Sequence, residues 1–255
     1  MITLLSPAKS LDFLSSYSAP LTTEPVFSEE SIKIAQVLKK KKAKDLMSLM
    51  DISENLAQLN VDRFQAWKIP YDSQQVKPAV FAFNGDVYDG LSAQTLDSDD
   101  LRYAQDHLRI LSGLHGVLRP LDLIMPYRLE MGTKLKIGKS QNLYQFWKKK
   151  VSNTIAQSME EADTGTLVNL ASNEYFSAVE KSEIKGDIIT PIFKDNKNGS
   201  YKIVSFWAKR ARGEMAAFIL KNRIEKPEDL RAFDGSGYMY NIALSDEKNL
   251  TFTRG

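Results

Sequence analysis

Hydrophobic positions along this chain fall into two patterns. Ile2–Leu5 (ITLL), Ala79–Phe83 (AVFAF) and Thr166–Leu170 (TLVNL) are short, mainly apolar runs closed by polar or turn-forming residues. Runs of that length predict buried strands. Asp187–Phe193 and Tyr201–Phe206, joined through Asp195–Gly199, predict an antiparallel hairpin, and Tyr238–Leu244 with Leu250–Thr253 predict a last strand pair. Elsewhere the spacing is helical. Ser28-Glu29-Glu30 opens a helix with Ile32, Ala35 and Leu38 on one face, and Ser53-Glu54 and Val61-Asp62 begin two further short helices. After the acidic Asp97–Asp100, residues Leu101, Ala104, Leu108 and Leu111 share one helical face, with Arg102, Gln105 and Arg109 opposite. Leu143–Met159 reads as a helix with Tyr144, Phe146 and Trp147 in the core. Trp207–Asn222 reads as another, with Trp207, Ala211, Met215, Phe218 and Ile219 inward; Lys209, Arg212, Gly213 and Ala216 line a second face. With no repeat, linker or compositional break, the pattern predicts an α+β (mixed α/β) protein. It would be one domain over residues 1–255, a central mixed sheet flanked by helices.

Composition narrows the chemistry. There are no cysteines and two histidines, His107 and His115, which excludes disulfides, thiolate nucleophiles and cysteine or histidine-rich metal centres. Neither a metal site nor a cofactor is indicated. Net charge is only +2, so any basic patch is local. The Lys202–Arg223 stretch is such a patch, with Lys202, Lys209, Arg210, Arg212, Lys221 and Arg223 against Glu214 alone. The first ten residues lack the basic region of a signal peptide, and no apolar run approaches the ~20 residues of a membrane span. A cytoplasmic, membrane-free protein is expected.

The stretch Leu101–Gly132 concentrates the candidate anion ligands. Arg109, Arg119 and Arg128 stand there among apolar residues, and Leu111–Gly116 places Gly113 and Gly116 in a turn after the predicted helix. That turn is similar to the hairpin of helix-hairpin-helix motifs, whose backbone N–H groups meet phosphates, although its spacing departs from the usual one. Ser6-Pro7-Ala8-Lys9 matches the S-x-x-K nucleophile motif, but Pro7 and the preceding strand oppose the helix that motif opens. Lys9 is therefore read as an anion ligand at a strand end, or as part of a surface turn. Asn84-Gly85-Asp86-Val87-Tyr88 either exposes a carboxylate and a phenol at a sheet edge or is a hairpin turn. Ser172, Asn173 and Glu174 follow the TLVNL run, and helix capping alone would explain the first two. The lysine-rich Lys39–Lys44 run reads as a solvated helix end, with a phosphate or membrane contact as the alternative. No catalytic signature is complete; Asp86, Tyr88, Glu130 and Glu174 are the acid–base candidates. The phosphate-binding candidates are Lys9, Arg109, Gly113, Gly116, Arg119, Arg128, Lys209, Arg210 and Arg212, with Lys209 and Arg212 forming a wall opposite Leu101–Gly132.

The segments SPAKSLDF, FNGDVYDGL, LRILSGLHGVLRPLDLIMPYRLEMG, LYQFW, NLASNEYF and KIVSFWAKRARGEM together resemble the YaaA family of bacterial peroxide stress proteins, over essentially the whole chain. The resemblance implies an unusual α+β fold, a helix-hairpin-helix element, a positively charged DNA-binding cleft and a part in limiting iron-dependent oxidative damage. It implies no established reaction. Two functions follow as expectations. One is a monomeric, largely sequence-independent DNA-binding stress protein, with Tyr88 and Tyr127 stacking on bases. The alternative is an enzyme acting on a nucleotide or phosphorylated small molecule in the same cleft.

Overall fold

The computed structural model describes residues 1–71 and 75–255. In chain order β1 (Ile2–Leu5) and β2 (Ser10–Leu11) precede a loop and three helices, α1 (Ser28–Lys39), α2 (Ala43–Met50) and α3 (Glu54–Ala66). Then come β3 (Lys77–Pro78), α4 (Ala79–Ala82), β4 (Phe83–Asn84), α5 (Asp86–Leu91) and α6 (Ser98–His107), followed by β5 (Leu108–Ser112), β6 (Gly116–Leu118) and β7 (Leu123–Ile124). The second half runs α7 (Leu143–Glu161), β8 (Thr166–Asn169), α8 (Asn173–Phe176), β9 (Asp187–Lys197), β10 (Ser200–Lys202), α9 (Ser205–Asn222), β11 (Met239–Tyr240) and β12 (Asn249–Arg254).

The main sheet has β1 at its centre. β1 pairs in parallel with β5 on one side and β8 on the other, and β8, β9 and β12 continue in parallel. Antiparallel partners finish it: β6 on β5, β11 on β12 and β10 on β9. Every residue of β1 is buried, and α6, α7 and α9 all pack against it. A parallel strand so covered must be apolar without alternation, which is why ITLL was legible as a strand. Counting the parallel strands in chain order gives 2-1-3-4-5, so strand order reverses between β1 and β8. The crevice outside the carboxyl ends of strands at such a reversal is where ligands bind in open α/β sheets.

Caps account for several helix starts. Ser53 Oγ accepts the Leu56 N–H at α3, Asp97 Oδ1 accepts two N–H groups at α6, and Asn142 Oδ1 accepts the Gln145 N–H at α7.

Five expectations are corrected. The helix expected through Leu111 ends at His107, and Leu108–Ser112 is β5, buried at all five positions. An edge of β1 needed a partner, and sheet pairing overrode a helical spacing that an apolar strand satisfies equally. Residues 111–116 consequently close a β-hairpin, with Ser112 opposite Gly116, and no helix-hairpin-helix forms there. Within AVFAF, Ala79–Ala82 is one helical turn, whose first two N–H groups are held by the Asp122 and Pro120 carbonyls, and Phe83 begins β4. Val61-Asp62 lies inside a continuous α3. In α9, Trp207 is 38% exposed, and the buried stripe is Ala208, Ala211, Met215 and Ile219.

Candidate functional site

The Ser6–Lys9 loop, leaving the carboxyl end of β1, is where the functional candidates meet. On the β8 side, the Ser172 N–H donates to Ser6 Oγ at 2.9 Å and the Ser6 hydroxyl lies 3.3 Å from Ser172 Oγ, tying the two loops of the switch point together. On the other side the Tyr88 hydroxyl donates to the Ser6 carbonyl at 3.0 Å. The β2–β4 ladder (Ser10↔Asn84, Leu11↔Phe83) then holds the loop alongside Gly85-Asp86. Gly85 has φ +150°, and a Cβ there would sit 3.7 Å from Ala8 Cβ. Glycine at that place is needed for its backbone angle, not for space.

Charges around the loop are matched in pairs. Lys9 Nζ lies 2.7 Å from Glu130 Oε2, and Arg128 holds the other oxygen of the same carboxylate at 3.2 Å. Lys209 Nζ lies 3.6 Å from Asp86. Glu174 Oε1 accepts the Gly132 N–H at 2.9 Å, and the Tyr144 hydroxyl donates to the Glu174 carbonyl. Thus Lys9, Asp86, Glu130, Glu174 and Lys209, scattered over two hundred residues, do line one edge, and Arg128 joins them from behind. Glu130 and Glu174 also border a groove of about 660 Å³, together with Lys41, Lys44, Asp45 and Lys134. The Lys39–Lys44 run thereby contributes to a concave surface.

Other candidates are placed elsewhere. Arg109 sits on β5 and is buried; its guanidinium donates to Ser158 Oγ and to the Gln105 and Leu108 carbonyls. Burial, and then the like charge of Arg119, push its pKa down to about 10. Arg119 faces the fully buried Asp122, which accepts from the Arg119 backbone N–H (2.8 Å), the guanidinium and Thr23 Oγ1 (2.6 Å). Arg210 pairs with Glu214 on its own helix. Gly113 and Gly116 are buried against Leu129 and the Trp147 ring, beyond reach of a phosphate. Tyr88 and Tyr127 are buried too, and burial raises both phenols well above their ordinary range. Neither can stack on a base. His115 is a turn residue whose Nδ1 meets Ser31 Oγ; burial alone lowers its pKa to about 3, so it is neutral.

The small residues of α9 let another backbone come close. A Cβ on Gly213 would lie 1.8 Å from the Val87 carbonyl oxygen, and one on Gly90 2.1 Å from that of Arg210. The backbones of α5 and α9 therefore touch, and this crossing fixes Asp86 against Lys209.

Arg212 differs from every other candidate cation. It has no ion pair or hydrogen bond among the described residues, and desolvation, unopposed by any carboxylate, lowers its pKa. It lines a cavity of about 650 Å³ bounded by β9, α9 and the loop after β8. Lys181 and Lys248 share that cavity, Asn169 and Thr190 add polar groups, and none of its described lining residues is acidic. Sequence reasoning missed Lys181, Lys248, Asn169 and Thr190. No sequence signal marked them: Ile188–Phe193 is apolar or proline at every position but Thr190, so only packing tells the two faces of β9 apart.

Among the described residues no group of three or more histidine, aspartate or glutamate side chains could hold a metal ion, and no helix is long and apolar enough to cross a membrane. Residues 1–244 match the family described as peroxide stress protein YaaA. A UPF0246 protein of Saccharophagus degradans is 48% identical over 254 residues, covering 100% of this chain and 99% of its own. A second, from Hahella chejuensis, is 47% identical with the same coverage, and one from Idiomarina loihiensis is 49% identical, covering 98% of its own length. The chain belongs to the peroxide stress protein YaaA family.

Proposed function

We propose that this protein serves peroxide resistance by binding DNA at the carboxyl edge of its sheet, largely without sequence preference, shielding it from iron-dependent oxidative damage. The supporting observation is that Lys9 stands on the Ser6–Lys9 loop while Lys209 faces Asp86, which the β2–β4 ladder holds alongside that loop. The two lysine side chains are 63% and 52% exposed although ion-paired. Pairs this exposed are worth roughly 0–1 kcal/mol, so a DNA phosphate can replace Glu130 or Asp86 as partner. Lys41, Lys44 and Lys134 extend the cationic row around the adjoining groove. Phe206, half exposed and one turn before Lys209, takes over the stacking role expected of the buried tyrosines, worth ~1–3 kcal/mol per base. Phosphate and stacking contacts carry little sequence information.

Gel-shift titration at several salt concentrations tests this reading. The wild-type log K should fall linearly with log salt, by about 0.9 per neutralised phosphate on duplex DNA. Lys9→Ala with Lys209→Ala should weaken binding and shallow that slope by about two phosphates' worth. Unchanged affinity and slope in the folded double variant would sink the assignment. The alternative, a phosphorylated small molecule, is favoured by a separate feature: the carboxylate-free cavity at Arg212.

A further inference from the structure

We propose that the cavity between β9 and α9 is a binding site for an organic phosphate carrying a flat ring, of which a nucleoside 5′-monophosphate is the representative, with Arg212 holding the phosphate. The inference develops the small-molecule alternative and does not depend on DNA binding at Lys9 and Lys209.

Three observations carry it. First, the lining is one-signed. Arg212, Lys181 and Lys248 border the space and none of the described lining residues is acidic, whereas Lys9, Arg119, Arg128, Lys209, Arg210, Arg223 and Arg254 each have a carboxylate within 4.0 Å. A half-buried guanidinium without a partner is an expense the fold has no structural use for, and its planar fork matches phosphate oxygens bidentately. Second, the cavity is large enough and has a ring-sized apolar wall. At about 650 Å³ it lies within the range of small-molecule sites, and Phe176, Ile188, Ile192, Ile203 and Ala208 supply hydrophobic surface. The Lys181 amine stands 5.6 Å over the Phe176 ring, keeping a cation beside that wall. Third, polar groups with spare capacity are present. Asn169 Oδ1 accepts the Ala171 N–H, leaving its amide N–H donors free. Asn249 spends its amide N–H group on Asp246, leaving its Oδ1 to accept. A donor and an acceptor on one lining can meet the hydrogen-bonding edge of a nucleobase.

Isothermal titration of the full chain with AMP, adenosine, inorganic phosphate and benzoate tests the proposal. AMP should bind, with adenosine and inorganic phosphate each weaker by roughly tenfold or more, because each forfeits one half of the contacts. Arg212→Gln should weaken AMP roughly ten- to a hundredfold, the range for losing charge-assisted hydrogen bonds, and Arg212→Lys should fall between. Lys9→Ala with Lys209→Ala should leave AMP binding unchanged, so that failure here and failure of the DNA reading are told apart. Amide chemical-shift changes on adding AMP to the wild type should centre on Asn169, Thr190, Arg212 and Asn249, which keeps the test decisive if a variant misfolds. No AMP binding at millimolar concentration, binding unaltered by Arg212→Gln, shifts centred elsewhere, or benzoate bound more tightly than AMP would each overturn it.

Discussion

Two concave regions flank the loop after β8, and they treat charge in opposite ways. In the groove and crevice around Lys9, cations and carboxylates alternate: Lys9 and Arg128 share Glu130, Lys209 faces Asp86, and Glu174 is held by the Gly132 backbone. In the Arg212 cavity the charged side chains among the described residues are all cations. The first arrangement satisfies itself, so a polyanion must compete for each lysine and affinity must accumulate from many weak exchanges. The second offers its cations no carboxylate among the described residues, so an anion entering it displaces no partner. Cation density along the chain does not separate the two, since Lys209, Arg210 and Arg212 are sequence neighbours with three different fates. What separates them is whether the fold brings a carboxylate to the charge.

The sharpest way to expose that difference is to remove a carboxylate from a cation that has one. Asp122 is fully buried and serves Arg119 through its backbone and guanidinium, and Thr23 through its hydroxyl. Asp122→Ala leaves those donors without their acceptor, and urea unfolding should show a loss of about 3–5 kcal/mol, the range for breaking a buried pair from one side. A loss below about 1 kcal/mol, the scale of an exposed pair, would return Arg119 to the list of available phosphate ligands.

The α5–α9 crossing carries cations into both regions, so disturbing it should affect both at once. Gly213→Ala places a methyl group within 1.8 Å of the Val87 carbonyl oxygen, and the helices must separate. Overpacking of this kind should cost about 1–3 kcal/mol, read by thermal denaturation. DNA binding and AMP binding should weaken together, because Asp86–Lys209 and Arg212 all depend on the seating of α9. If only one of them weakens, the two regions do not share this helix as a common wall.

The extent to which these regions were legible follows the same division. β1, β8, α7 and the β9–β10 hairpin could be read because burial and turn chemistry are local properties: ITLL is covered on both faces, and Asn198-Gly199 closes a tight turn with both residues at positive φ. β5 was misread because Leu101, Ala104, Leu108 and Leu111 fit a helical face, and nothing within residues 108–112 announces that β1 needs a partner. At the site, Lys9, Asp86 and Glu174 could be named because each closely follows an apolar run or a short strand. Arg109 and Arg212 were indistinguishable as sequence. One ends on the buried strand beside Ser158 and the other in an open cavity, an outcome decided by pairing across more than a hundred residues.

The smallest expected effect has the opposite sign to the others. Arg212 is partly desolvated without compensation, so replacing it with an apolar side chain of similar length should relieve the fold. Arg212→Leu should raise stability by about 0.5–2 kcal/mol, the size typical of stabilising changes at functional positions, and should abolish AMP binding. Apolar replacement of buried charge is often neutral or stabilising even where a partner exists, and here there is none to orphan. If chemical denaturation instead shows Arg212→Leu destabilised by more than 1 kcal/mol, Arg212 is a structural residue like Arg119, and the contrast between a self-satisfied crevice and an anion-seeking cavity collapses. If the variant is stabilised and binding is lost, the unpaired cation is retained at the expense of stability, which is the mark of a residue kept for a ligand.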